Sequence, residues 1–193
     1  APEGLPSAKP IWKNGNSKGF LHKSFVCKNN DLILMDFGAE YANYASDLTR
    51  TVPINGKYTK RQKDIYNSVR NVMVMATDML VTGALLDEFN KEIGKLIESE
   101  LINLGLLTKT EVKKQPLKNP LYKKYFPHGT AHFLGMDVHD VGNRYSPFQP
   151  GMVLTCEPGI YIPEEGIGIR IENVKVSIQT KIIKVCVFSF RNH

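Results

Sequence analysis

A chain of 193 residues with 42% hydrophobic content can bury one sizeable core, so a single globular domain is expected. No apolar run approaches the ~20 residues of a membrane-crossing helix, and the opening APEGLPSAKPIWKNGNSKG lacks the apolar centre of a secretory signal. The formal charge of +6 would suit nucleic acid, but much of the excess falls in one connector, at Lys109, Lys113, Lys114, Lys118, Lys123 and Lys124. Tyr122, Tyr125 and Phe126 interleave with these lysines, yet no nucleic-acid motif accompanies them, and a solvated surface is the expected reading.

Residues 1–19, rich in Pro, Gly, Asn, Ser and Lys, read as an irregular segment, and 20–193 as the folded domain. FLHKSFVC is a strand candidate, followed by a turn at Asn29, Asn30 and Asp31. Leu32 to Phe37 reads as a buried strand carrying Asp36, and a second strand is expected through Asp47 to Val52. The two aspartates are 11 residues apart, a distance over which a tight return can set both carboxylates at one end of neighbouring strands. PINGK is a turn. Thr59 with Gln62 makes a capping box that opens a helix to about Leu80, with Ile65, Val69, Val72 and Ala76 as its apolar stripe. A second helix is expected from about Leu86 to Leu104, with Gly105 just past its end. Both stripes are core faces and carry no chemistry.

The connector Leu106 to Phe126 leads to PHGTAHFLGMDVHDVG, residues 127–142, which holds three of the five histidines: His128, His132 and His139. Read as extended chain, it sends alternate side chains to opposite faces, so one or two of these groups face a site while the rest hold the loop. Two later apolar runs, Met152 to Ile162 and Gly166 to Val176, carry Glu157 and Glu172, and Arg170 shares a strand face with Glu172. A carboxylate set in a strand pattern incurs a desolvation cost that pairing or a metal must offset. Two Asp, two Glu and one His suit a pair of hard or borderline divalent ions, which activate water for hydrolysis of an amide or ester. The three cysteines, Cys27, Cys156 and Cys186, are widely spaced within apolar runs and read as reduced thiols of a cytoplasmic protein.

In this order, DFGAEYANYASDLTRT, HGTAHFLGMDVHDVG, LTCEPGIYI and GIGIRIEN resemble the metal-binding segments of the Xaa-Pro aminopeptidase (aminopeptidase P) and prolidase family. The resemblance spans about Leu32 to Val174. It implies an α+β pita-bread (creatinase/aminopeptidase) fold, a curved antiparallel sheet covered by helices, without the family's N-terminal domain and incomplete on that side. It implies Asp36, Asp47, His132, Glu157 and Glu172 as ligands of two divalent ions, with Asp47 and Glu172 bridging. Manganese is the implied metal, with zinc or cobalt as alternatives. Glu157 would also be the base that takes the proton from a metal-bridging water. His139 and His128 would contact the substrate, Arg170 would pair with a ligand carboxylate, and His22 looks like the histidine that precedes the first aspartate. The implied substrate is a peptide with proline second, cut between Xaa and Pro. A prolidase acting on dipeptides and a catalytically inactive binding protein are the alternatives. A homo-oligomer is compatible with the resemblance; a membrane or nucleic-acid partner is not expected.

Overall fold

The computed structural model describes residues 26–116 and 118–177, with the backbone of 184–185. Residues 20–25 of the first candidate strand, His22, Cys186 and the irregular segment 1–19 lie outside these residues, while Val26 and Cys27 are described and lie in no strand. Every strand pairing among the described residues is antiparallel. Strands β1 (Leu32–Phe37) and β4 (Leu48–Pro53) pair so that Asp36 faces Thr49 and Phe37 faces Leu48. Between them, Ala39 to Ser46 forms a small hairpin, β2 (Glu40–Tyr41) and β3 (Tyr44–Ala45), which the aromatic lead-in did not announce. Asp47 stands just before β4 rather than inside it, beside the end of β1.

Helix α1 (Lys60–Met79) starts at Thr59, whose hydroxyl accepts from the Gln62 backbone while the Gln62 amide accepts from Thr59 N–H. The predicted stripe, Ile65, Val69, Val72 and Ala76, is fully buried. Helix α2 (Leu86–Asn103) buries Phe89, Ile93, Ile97 and Leu101 against it. Each such side chain contributes about 1.5–3 kcal/mol by leaving water. Gly105 closes α2 at φ +73°, where Leu106 N–H reaches Leu101 O and Gly105 N–H reaches Ile102 O, the bonding of a Schellman cap.

The connector carries more structure than its composition suggests. A short helix, α3 (Lys109–Lys114), is held by a second capping box of Thr108 and Glu111. A 3-10 turn at Leu121–Lys124 lies on α2. That contact depends on Gly94, where an added Cβ would sit 2.5 Å from the Tyr122 ring.

The two later apolar runs are each broken in two. β5 (Val153–Cys156) and β6 (Gly159–Ile162) flank Glu157, while β7 (Ile167–Arg170) and β8 (Asn173–Val176) flank Glu172. β5 pairs with β8, which pairs onward with β9 (Lys184–Val185); β6 pairs with β7. Thus both glutamates fall where the chain leaves one sheet and joins the next, and neither lies in a strand ladder. The two halves are joined by side chains as well as backbone. Thr51 Oγ1 donates to Arg170 O and accepts from Arg170 N–H, and Glu172 N–H donates to Thr49 O. The core fills the space between the helices and these sheets, with Leu154, Ile160, Ile162 and Ile169 fully buried.

The histidine stretch is not a strand. It runs as irregular extended chain with one isolated bridge, Phe133 to Leu154. Hydrogen bonds from Glu157 N to Thr130 O, Thr155 N to His132 O and Leu134 N to Val153 O lay it along β5. Its alternation therefore survives only for residues 130–134, beside the strand that fixes them. No helix among the described residues is long and apolar enough to cross a membrane.

Candidate metal centre

Three of the predicted residues meet. One ligand atom each from Asp47, His132 and Glu172 lies within 4.8 Å of the other two. His132 Nε2 is 3.4 Å from Asp47 Oδ2 and 3.7 Å from Glu157 Oε1, so Glu157 borders the same cluster. Asp36 stands beside Asp47 and is engaged by Arg170, whose guanidinium donates to Asp36 Oδ2. The predicted pairing of Arg170 with a carboxylate is present. Asp36 is not the buried group expected, because its side chain is 52% exposed.

The surroundings orient each donor. His132 Nδ1 contacts Phe133 O at 3.0 Å, and a carbonyl can only accept, so Nδ1 carries the proton and the Nε2 lone pair faces the carboxylates. Thr49 is two residues past Asp47, on the register position opposite Asp36. Its hydroxyl donates to Glu172 Oε2 at 2.6 Å and accepts from Arg170 Nε at 3.0 Å. Glu172 is fully buried, yet its other oxygen, Oε1, has no hydrogen-bond partner. A buried carboxylate oxygen left unpaired is costly, and a cation in the cluster would satisfy it.

Electrostatics point the same way. Four carboxylates face one guanidinium here. Burial, then the Glu172 charge, pushes Glu157 up to about 8. Burial, then the neighbouring Asp47 against the opposing Thr49 hydrogen bond, raises Glu172 to about 7. Asp47 is also raised, by burial and then by Asp36. Such groups resist ionisation until a cation offsets the crowding. Mixed carboxylate oxygens with one imidazole nitrogen form a donor set suited to divalent ions such as Mn, Zn or Co. The residues fit the group.

His128 lies at the rim. Its Nδ1 donates to Gly129 O at 2.7 Å, which leaves Nε2 to accept from the Tyr161 hydroxyl at 2.8 Å. The same Nδ1 is 4.0 Å from Glu157 Oε2. Tyr161 also hydrogen-bonds Arg170, so His128, Tyr161, Arg170 and Asp36 form a continuous chain along one wall. Exposed His139 packs edge-on against His132, with ring centroids 4.3 Å apart. Asp140 belongs to the loop: its carboxylate accepts from Met136 N and Val141 N.

Thr49 and Tyr161 were not anticipated. Thr49 has a signal in its spacing two residues past Asp47, on one face of extended chain, whereas no such spacing singles out Tyr161. Cys156 is buried, and burial pushes its thiol up to about 12, in keeping with a reduced core cysteine.

Residues 5–177 match the metallopeptidase family M24. The Xaa-Pro aminopeptidase of Escherichia coli is 39% identical over 190 residues, covering 91% of this chain and 43% of its own. Human Xaa-Pro aminopeptidase 3 is 36% identical over 187 residues, covering 88% of this chain and 36% of its own. Among solved structures, aminopeptidase PepP of Pseudomonas aeruginosa superposes with a TM-score of 0.76 at 35% identity, over 86% of this chain and 40% of that one. Zinc-substituted aminopeptidase P of E. coli in complex with product gives 0.74 at 38% identity, over 83% and 39%. The chain thus spans less than half the length of these relatives. In the part it covers, its helix-backed antiparallel sheets follow the fold of these aminopeptidase P structures, the pita-bread fold. On fold, residue match and the converging donors alike, the chain belongs to metallopeptidase family M24.

Proposed function

We propose that residues 20–193 are the catalytic domain of a dinuclear metallo-aminopeptidase that removes the first residue from peptides with proline second. The observation that carries this reading is the convergence of Asp47, His132 and Glu172 within 4.8 Å, with Glu157 alongside. In the proposed assignment, Asp36, Asp47, His132, Glu157 and Glu172 would together hold two divalent ions. When bound, the ions would lower the pKa of a water and polarise the scissile carbonyl.

The chain's own residues supply the rest. Glu157 is the base that accepts a proton from the attacking water and passes it to the leaving nitrogen. Its place at the edge of the cluster, 3.7 Å from His132 Nε2, supports that role, because a base must lie within reach of the proton it abstracts. Thr49 holds the Glu172 carboxylate in place. Arg170 fixes Asp36 and, through Tyr161, orients the His128 ring, whose Nδ1–H donates to Gly129 O. His128 and His139 flank the cluster where substrate would pass, which supports their assignment as substrate contacts. His22 is retained as a substrate contact on the sequence resemblance alone. Manganese is the ion assigned on that resemblance, with zinc or cobalt as alternatives. The cytoplasm is the proposed setting, supported by the buried thiol Cys156, and a homo-oligomer is an accessible form of the whole enzyme.

That the relatives are named Xaa-Pro aminopeptidases supports the aminopeptidase reading over the prolidase one. Metal content after purification and manganese add-back, measured with cleavage of an Xaa-Pro-Xaa tripeptide and an Xaa-Pro dipeptide, tests this. About two ions and release of the first residue of the tripeptide are expected. Preferential dipeptide cleavage would select the prolidase reading. Two ions without cleavage would favour an inactive binding protein, and no bound metal would remove the proposal.

A further inference from the structure

A groove of about 600 Å³ begins at His128 and runs between α2 and the connector. Its floor is made by the 3-10 turn that Gly94 allows to sit on α2. The groove's charges are unevenly matched. Asp87 is paired with Arg144 and Lys95 with Glu92, while Glu98, which accepts from the neutral Gln115 amide, keeps a single negative charge in the groove. Lys91 from α2 and Lys118 and Lys123 from the connector line the same groove, are exposed, and have no ion-pair partner among the described residues. By contrast, Lys124, one residue on, turns away to pair with Glu164. The connector's positive excess is therefore divided, and part of it gathers beside the site, where Lys91, Lys118 and Lys123 outnumber the single Glu98 charge.

His128 belongs to both places. Its ring lies 4.0 Å from Glu157 on one side and lines the groove on the other. A peptide held by its N-terminus at the metal cluster must lead its remaining residues out past the rim, at about 3.3–3.6 Å per extended residue. A polar groove with unpaired ammonium groups attracts carboxylates there and repels cations.

We infer that this groove receives the leaving part of the peptide, and that Lys91, Lys118 and Lys123 select substrates with acidic side chains downstream of the proline. The inference rests on the aminopeptidase reading above. The preference is electrostatic, exposed and salt-sensitive, of about tenfold at low salt and fading near 0.5 M salt.

The test uses the full chain loaded with manganese and three peptides of equal length that share an Ala-Pro start. Their downstream residues are paired Glu, paired Ala or paired Lys. Expected kcat/KM falls in that order, by about tenfold from the acidic to the neutral peptide. Charge reversal by Lys91→Glu with Lys123→Glu should erase or invert the order, read as the ratio of kcat/KM between the acidic and the neutral peptide. Lys91→Arg with Lys123→Arg should preserve it. A second arm measures fluorescence anisotropy of labelled, Pro-leading product peptides, which reads the groove without turnover. Equal cleavage and equal binding of all three peptides would overturn the inference while leaving the peptidase reading intact. Cleavage of none, with acidic product peptides still bound more tightly, would overturn the peptidase reading instead. Tight, salt-dependent capture of a single-stranded oligonucleotide with no discrimination among peptides would assign the lysines to nucleic acid and sink the proposal.

Discussion

The four carboxylates of the site come in two pairs with different physics. Asp36 and Asp47 arrive on one hairpin, at the ends of β1 and β4, and Asp36 remains half exposed against Arg170. Glu157 and Glu172 arrive at breaks between strands, are covered by the sheets, and hold their protons up to about 8 and 7. All four share one cluster, so proximity alone does not separate them. Burial does so in degree: it raises Asp47 as well, but the large shifts are those of Glu157 and Glu172, because removing a carboxylate from water disfavours its charge.

The largest expected consequence of that contrast is catalytic. Glu157→Gln keeps the shape of the buried pair but removes its proton acceptor, and kcat should fall about 10²–10⁴-fold with metal content nearly intact. Retained turnover in a metal-matched assay would disprove the role of Glu157 as base.

Next in size is the pH dependence of the metal-free protein. The unfolded glutamates ionise near 4.5, whereas the folded ones hold their protons to about 8 and 7. Between those values the native state binds more protons, so stability should fall as pH rises through this window, by on the order of a few kcal/mol. Urea unfolding after chelation would show the decline, and Glu157→Gln should flatten it. Adding metal should reverse the trend, because binding displaces those protons and strengthens with pH.

Removing the shared nitrogen donor tests the cluster itself. His132→Ala should weaken metal binding by about a hundredfold, read by calorimetry or by retained metal after dialysis. Unchanged stoichiometry and affinity would remove His132 from the ligand set. The smallest effect sharpens the buried side of the comparison. Thr49→Val deletes the hydroxyl between Glu172 and Arg170, and metal affinity should drop about tenfold with little change in fold. Thr49→Ser should restore it.

Much of this site was legible along the chain. Asp36 and Asp47 were readable because a carboxylate after LILM and another before LTRTV interrupt apolar runs where Asp is disfavoured. The helices were readable for a local reason: capping boxes and 3.6-residue stripes are interactions within a few residues, and Thr59, Gln62 and Gly105 do in the fold what their spacing implies. The histidine stretch misled, since its apparent strand alternation is imposed by β5 alongside only from 130 to 134, and beyond that the Asp140 carboxylate bends the chain.

Residue type and short-range spacing were enough to identify the donors, their order and the two long helices, though not the short α3 in the connector. Only the tertiary structure decided that Glu157 and Glu172 sit at sheet breaks, that Thr49 bridges residues more than a hundred positions away, and that Tyr161 joins His128 to Arg170. It also divided the connector's lysines between a paired surface and an unpaired groove. Those outcomes depend on which distant strands adjoin and how deeply each group is buried. Contacts across the fold and the dielectric they create have no period in the chain from which they could be read.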